Sequence, residues 1–280
     1  MKHAFSDADL LIAKTSLERS TQYEVFVISQ DTDIVVLLWH YFSDSSKRII
    51  LQTEQRRWDI QRLVEKTNYQ HLVLLVHAFL GCDTTSRIFN IGKNKVFNNS
   101  TLCEIFSEET KVFYSIDSTA EEIARSGRKL FTALYCKEYQ GTLNELRAKT
   151  FLTKVKNKSI VKPSGLPPTS DEATLHAYRV YHQVQAWLDV DKNPLTWGWC
   201  LKGNELFPVM STLPHAPSFL LSYIRCGCKA DGCNTNRCSC RKNGLPCTLA
   251  CLHCNGCSCG NPQQVDDSPI EVVEDEDEES

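Results

Sequence analysis

The stretch Tyr23 to Phe42, YEVFVISQDTDIVVLLWHYF, decides the fold class. Tyr23 to Ser29 is rich in β-branched and aromatic residues, the side chains that pack well on a pleated surface. Asp31 and Asp33 close that run, and an apolar run from Ile34 to Phe42 follows at once. The pattern predicts a strand that enters a helix through Asp-Thr-Asp. Upstream, Leu10, Leu11, Ala13 and Leu17 keep helical spacing between Ala8 and Ser20, with Asp7 or Asp9 placed to cap the start. Downstream, a strand at Arg48 to Thr53, a helix capped near Asp59 and an apolar helix from Tyr69 to Leu80, stopped by Gly81, continue the alternation. The expected class is α/β, a mostly parallel sheet with covering helices.

Farther along, Thr110 to Leu152 predicts one or two helices, with Ile123, Leu130, Leu134 and Leu146 on the apolar side. Lys154 to Lys162 is basic, and Pro163 to Pro168 has linker composition, so a boundary is expected nearby. A helix around Ala173 to Leu188 leads to Trp197-Gly198-Trp199 and the proline-punctuated Leu213 to Pro217. A last helix, Ser218 to Ile224, is expected to run into the cysteines.

With 280 residues and 42% hydrophobic content, the chain is long enough for one large core or two smaller ones. Its net charge of −3 hides a division. Nine acids follow Val265 with no base among them, which leaves 25 acids against 31 bases in the body. A basic body with an acidic tail suits an anionic partner. Met1 to Asp9 has no apolar signal core, so export is not expected. The apolar runs Ile34 to Phe42 and Leu72 to Leu80 are too short to cross a hydrocarbon layer of roughly 30 Å, so no membrane partner is expected. No Ser-His-Asp arrangement, phosphate loop or dinucleotide fingerprint is present.

Fourteen cysteines without a signal peptide point to metal in place of disulfides. Cys82, Cys103, Cys136 and Cys200 are scattered and read as small buried side chains. The other ten, Cys226, Cys228, Cys233, Cys238, Cys240, Cys247, Cys251, Cys254, Cys257 and Cys259, fill one short window. Zinc takes four tetrahedral ligands and prefers thiolates, so ten cysteines imply more than one ion and bridging sulfurs. The segment RCGCKADGCNTNRCSCRKNGLPC, with paired Cys-x-Cys units around Arg-Cys-Ser-Cys-Arg-Lys, resembles the tesmin-type CXC domain. That resemblance implies a module in which nine cysteines hold about three zinc ions and which binds DNA. Two departures stand out: Arg237 where the family has tyrosine, and an extra cysteine at the end, which leaves open whether Cys257 or Cys259 is the ninth ligand and whether His253 takes part. Arg225, Lys229, Arg237, Arg241 and Lys242 lie between the ligands as candidate phosphate contacts, Arg237 also as a candidate for minor-groove insertion.

Asp7, Asp9, Asp31, Asp33 and Asp83 each fall at a predicted junction between a strand or loop and a helix. An isolated aspartate there is a helix cap; together, acids after successive parallel strands converge on one edge, where carboxylates hold Mg²⁺ or Mn²⁺ for phosphodiester chemistry. The order Asp-x-Asp, Asp-Thr-Asp, Gly-Cys-Asp, then Arg87-Ile-Phe-Asn-Ile-Gly-Lys93 resembles the flap-endonuclease branch of the PIN-like nucleases. The resemblance implies a partial PIN-like sheet, a metal site at those carboxylates and a DNA-backbone contact at Gly92 and Lys93. Asn90 replaces a glycine of that turn, a change a left-handed residue tolerates. The family draws further acids from strands before the first pair, and only six residues precede Asp7, so the domain is expected to be truncated and its hydrolysis degenerate. The same pairing of domains, with Trp-Gly-Trp between them, resembles arthropod proteins related to mobile elements.

The sequence thus predicts a truncated nuclease-like domain over 1–115, a helical extension over 116–162, linker and short helices over 163–222, a small irregular zinc-thiolate module over 223–262 and a disordered acidic tail over 263–280. The expected function is zinc-dependent binding of double-stranded DNA in the nucleus. The alternatives are a metal-dependent, structure-specific DNA endonuclease and a protein-docking zinc module with no DNA role. A protein partner for the acidic tail belongs with the last.

Overall fold

A computed structural model describes residues 8–156, 163–212, 225–229, 233–248, 251–256 and 259–262. Asp7, Cys257, the Leu213 to Pro217 stretch, the helix expected at Ser218 to Ile224 and the acidic tail lie outside them. The chain divides into two compact units, 1–160 with 164–213, and 161–163 with 214–280.

The first unit opens with α1 (Asp9–Ser20), β1 (Val25–Ile28), α2 (Thr32–Tyr41), β2 (Ile49–Gln52), β3 (Arg57–Asp59), α3 (Ile60–Glu65), α4 (Val73–Phe79) and the short α5 (Asn94–Phe97). The architecture is mixed α/β, as expected. The sheet is not mostly parallel, however: β1 and β2 pair parallel, with Val25 opposite Ile49, while β3 returns antiparallel to β2. A tight return at Thr53 to Arg56 makes that reversal. The Thr53 N–H donates to the Arg56 carbonyl at 2.8 Å, and the Thr53 hydroxyl accepts from the Arg56 N–H at 2.9 Å. Neither glycine nor proline marks this turn in the sequence.

Helix starts follow from local chemistry. Asp31 caps α2 by accepting the Asp33 N–H at 2.8 Å, and Asp59 caps α3 through the Arg62 N–H. For α1 the expected aspartate cap is not seen among the described residues; Ala8 stands at the cap, and Asp9 sits in the first turn, where it still meets the positive end of the helix dipole. Gly81, at φ +110°, ends the apolar helix as expected, and Asn90 adopts φ +57° in place of a glycine.

The middle of the chain forms three helices, α6 (Ser100–Tyr114), α7 (Ala120–Tyr135) and α8 (Leu143–Lys156); α7 and α8 begin within the stretch from Thr110 where one or two helices were expected, and α6 begins ahead of it. Ile123, Leu130, Leu134 and Leu146 are all buried. The region read as linker and short helices carries α9 (Ser170–Trp187), an 18-residue helix whose Val180, Tyr181 and Val184 enter the core, followed by a hairpin of β4 (Trp199–Lys202) and β5 (Glu205–Pro208). Capping boxes start both α7 (Thr119, Glu122) and α9 (Thr169, Glu172). The two helices cross so closely that a Cβ on Gly127 would lie 2.3 Å from that of Ala177. Trp197 packs on Tyr181, with ring centroids 4.4 Å apart, so the Trp-Gly-Trp motif anchors the hairpin to α9. Of the scattered cysteines only Cys103 is buried; Cys136 is exposed and the other two are half-buried.

Candidate metal centre

In the second unit the cysteines themselves form the interior. Cys226, Cys233, Cys238, Cys240, Cys247, Cys251 and Cys254 are buried, with Cys228 and Cys259 half-buried against them. The Sγ atom of Cys226 lies 3.8 Å from that of Cys233, 3.9 Å from that of Cys247 and 3.7 Å from that of Cys254. Cys238 and Cys247 are 3.7 Å apart, and Cys240 and Cys251 are 3.5 Å apart. A disulfide would bring sulfurs to about 2.05 Å. Four thiolates about 2.3 Å from one zinc, at tetrahedral angles, stand about 3.8 Å from each other. The observed separations therefore fit zinc-sized thiolate cages.

Three sets of four cysteines have sulfurs that all lie within 4.8 Å of one another: Cys226 with Cys238, Cys240 and Cys247; Cys226 with Cys233, Cys247 and Cys254; and Cys226 with Cys228, Cys233 and Cys238. Cys226 belongs to all three, and Cys233, Cys238 and Cys247 to two each. Shared sulfurs are what bridging thiolates require. Cys259 packs against the cluster without entering any of these sets, Cys257 lies outside the described residues, and His253 is exposed and in none of them.

A backbone donor and a side-chain donor lie against the sulfurs. The Cys226 N–H donates to the Cys251 Sγ at 3.5 Å, and the Asn261 amide to the Cys247 Sγ at 3.6 Å. Burial is the largest influence on every shifted thiol of the cluster and raises its pKa. It pushes Cys233 and Cys240 up to about 12, and Cys226 and Cys247 further still. At Cys238 and Cys254 the N–H groups of Arg241 and Gly256, with neighbouring thiols, outweigh burial and bring the values down to about 7 and about 6. Buried sulfurs pushed in opposite directions are a set that can ionise together only with cations among them.

Turn geometry holds the frame. α10 (Ser239–Lys242) starts at Cys238, and the Cys247 N–H donates to the Asn261 carbonyl at 2.7 Å. Asn255 and Gly256 both have positive φ, and a Cβ on Gly256 would sit 2.7 Å from the Cys247 carbonyl oxygen, so only glycine fits. Arg225, Lys229, Arg237, Arg241 and Lys242 are all exposed, and Arg241 reaches the Gly260 carbonyl at 3.0 Å.

A second group lies in the first unit. Carboxylate oxygens of Asp9, Asp31 and Asp33 stand within 4.8 Å of one another, at the end of β1 and the start of two helices. Asp83 is exposed and stands outside that group; its turn is held instead by the Thr85 hydroxyl, which accepts the Cys82 N–H. Asp7 lies outside the described residues. Asp33 is buried, and the His77 Nε2–H donates to its Oδ1 at 2.6 Å, a partner the sequence reading missed. Its one signal was a lone histidine inside the apolar run of α4. The Lys93 ammonium lies 3.3 Å from the same Nε2, half-buried, with burial lowering its pKa, whereas Gly92 is exposed. Lys93 thus turns inward from the turn that carries it.

No protein-family model, curated protein or solved structure matches this chain. The cysteine cluster and its fitness for metal therefore rest on the geometry alone.

Proposed function

We propose that this chain is a zinc-dependent DNA-binding protein, its second unit a CXC-type module and its first a PIN-like nuclease domain with degenerate chemistry. The observation that carries the reading is the overlap at Cys226 of three cysteine sets, each with sulfurs close enough to hold a metal ion. Bound zinc would hold the intervening chain rigid, and the exposed Arg225, Lys229, Arg237, Arg241 and Lys242 would then offer a fixed cationic surface to phosphates. The reading includes a nuclear location and double-stranded DNA as the partner. The test is metal analysis of the purified chain beside a gel-shift assay. Several zinc ions per chain and a DNA shift abolished by chelator are expected, with affinity falling steeply as salt rises and falling again in Arg237→Ala. Zinc without any DNA shift, or a shift indifferent to salt, would leave a protein-docking knuckle, with the acidic tail engaging a protein partner.

One observation favours a second reading, a metal-dependent structure-specific endonuclease: the three carboxylates of Asp9, Asp31 and Asp33 are close enough to share a divalent ion such as Mg²⁺ or Mn²⁺. Manganese-dependent nicking of branched DNA that disappears in Asp33→Asn supports it. Intact DNA after long incubation removes it.

A further inference from the structure

A cleft in the first unit is used neither by the carboxylates nor by the cysteines. Its volume is about 480 Å³, within the roughly 300–1,000 Å³ usual for ligand sites. Four aromatic side chains line it, Trp39 of α2, Trp58 of β3, Tyr69 and Phe97 of α5. Phe97 stands 5.8 Å from the Trp39 ring and 5.2 Å from the Tyr69 ring, so that wall is packed and fixed in place. Trp39 is only 9% exposed, and its indole nitrogen is buried with no hydrogen-bond partner among the described residues.

The polar part of the lining is equally selective. Asn94 opens α5 and Asn98 ends it four residues later, so both amides come from one side of the helix. Neither side chain is hydrogen-bonded among the described residues, which leaves two donor-and-acceptor amides beside the aromatic wall. Arg56 and Lys93 also line the cleft, and no carboxylate does. Arg56 is exposed and has no acidic partner among the described residues. A purely apolar ligand would leave Arg56 and both amides unmatched, and a metal ion would find no anionic donor. A planar ring with a polar edge and an anionic group matches all of them: rings stack on aromatic faces, asparagine amides pair with base edges, and arginine and lysine hold phosphate.

We propose that this cleft binds a single nucleotide, its base against the Trp39 and Phe97 wall, its edge read by Asn94 and Asn98, and its phosphate at Arg56 and Lys93. The nucleotide is either a free mononucleotide or the terminal residue of a DNA strand, since both present the same chemistry. The site does not require the cysteine module.

Equilibrium dialysis of the full chain with labelled dAMP at physiological salt tests it, with tryptophan quenching as a second readout. Saturable binding is expected, with deoxyadenosine and inorganic phosphate each about tenfold weaker or more, the loss of one charge-assisted contact or of the stack. Arg56→Ala and Asn98→Leu change exposed side chains, so circular dichroism should be unaltered while dAMP affinity falls about tenfold. Chelator should leave dAMP binding intact even where it abolishes duplex binding, which separates this inference from the function proposed above. A short 5′-phosphorylated oligonucleotide that binds much more tightly than dAMP, by the same Arg56-dependent route, identifies the strand end as the source. No saturable binding of either probe, equal binding of deoxyadenosine, full affinity in Arg56→Ala or loss of dAMP binding on chelation would each overturn the proposal.

Discussion

The two units bury different things. In the first, Leu37, Leu38, Leu74, Leu75, Phe79, Phe106 and Tyr181 exclude water from a continuous apolar core, helped by aromatic contacts such as that of Phe79 with Phe131 at 4.8 Å. In the second, every buried residue among those described is a cysteine. Apolar side chains stabilise a fold simply by leaving water, roughly 1.5–3 kcal/mol for each large one fully buried. Thiols at 3.5–3.9 Å, several with raised pKa values, do so only when a cation draws off their protons. One unit is held by what it excludes, and the other by what it would bind.

The largest expected effect breaks the pair apart. Zinc binding supplies on the order of 10 kcal/mol per structural ion, so chelation under reducing conditions should unfold the second unit and leave the first intact. Amide NMR would show collapsed dispersion for 225–262 with the helical signals unchanged. Retained dispersion in the stripped protein would refute the metal-held interior.

A smaller effect is expected from single thiols. Cys226→Ser removes a sulfur common to all three sets, whereas Cys228→Ser touches one. Metal analysis should therefore find most zinc lost from the first variant and a partial loss from the second. Equal losses would show that Cys226 is not shared.

Acid should act on the first unit through His176. This residue is buried, and its Nε2–H donates to the Phe79 carbonyl at 2.9 Å; burial, the chief cause, brings its pKa down from 6.5 to about 4. The unfolded chain takes up the proton first, so the stability is complete above pH 6.5 and is lost as pH falls from 6.5 towards 4. The loss is on the order of 3 kcal/mol. Stabilities at pH 7 and pH 5 read about 2 kcal/mol of that loss, and His176→Gln, which keeps a donor without titrating, should flatten the dependence.

The smallest effect sharpens the contrast from the apolar side. Thr169 accepts the Glu172 N–H and starts α9, so Thr169→Ala should cost about 1 kcal/mol. The first unit's Tm should fall by about 2–4 °C, with the zinc content unchanged.

Much of this was legible in the residues. Strands β1 and β2 fall within the β-rich runs predicted at Tyr23 to Ser29 and Arg48 to Thr53, and the Asp31 and Asp59 caps stand where carboxylates precede apolar periodicity. Strand β3 was not legible, because a three-residue strand after a turn without glycine or proline carries no period. Nor was most of α6, which begins at Ser100, ahead of the stretch from Thr110 where helix was expected. In the acid group, Asp9, Asp31 and Asp33 were named from their junctions, while Asp83 failed to join them because position beside a helix does not determine where a turn aims its side chain.

By itself, the sequence determined the α/β class and the thiol-rich interior of the second unit, since both follow from residue type and spacing along a few dozen positions. Only the tertiary structure decided that Cys226 lies in all three cysteine sets, that His77 holds Asp33 and that Asn94 and Asn98 face a cleft walled by tryptophan. Those facts join residues up to dozens of positions apart, and distance in space between such residues is set by packing, which no local pattern encodes.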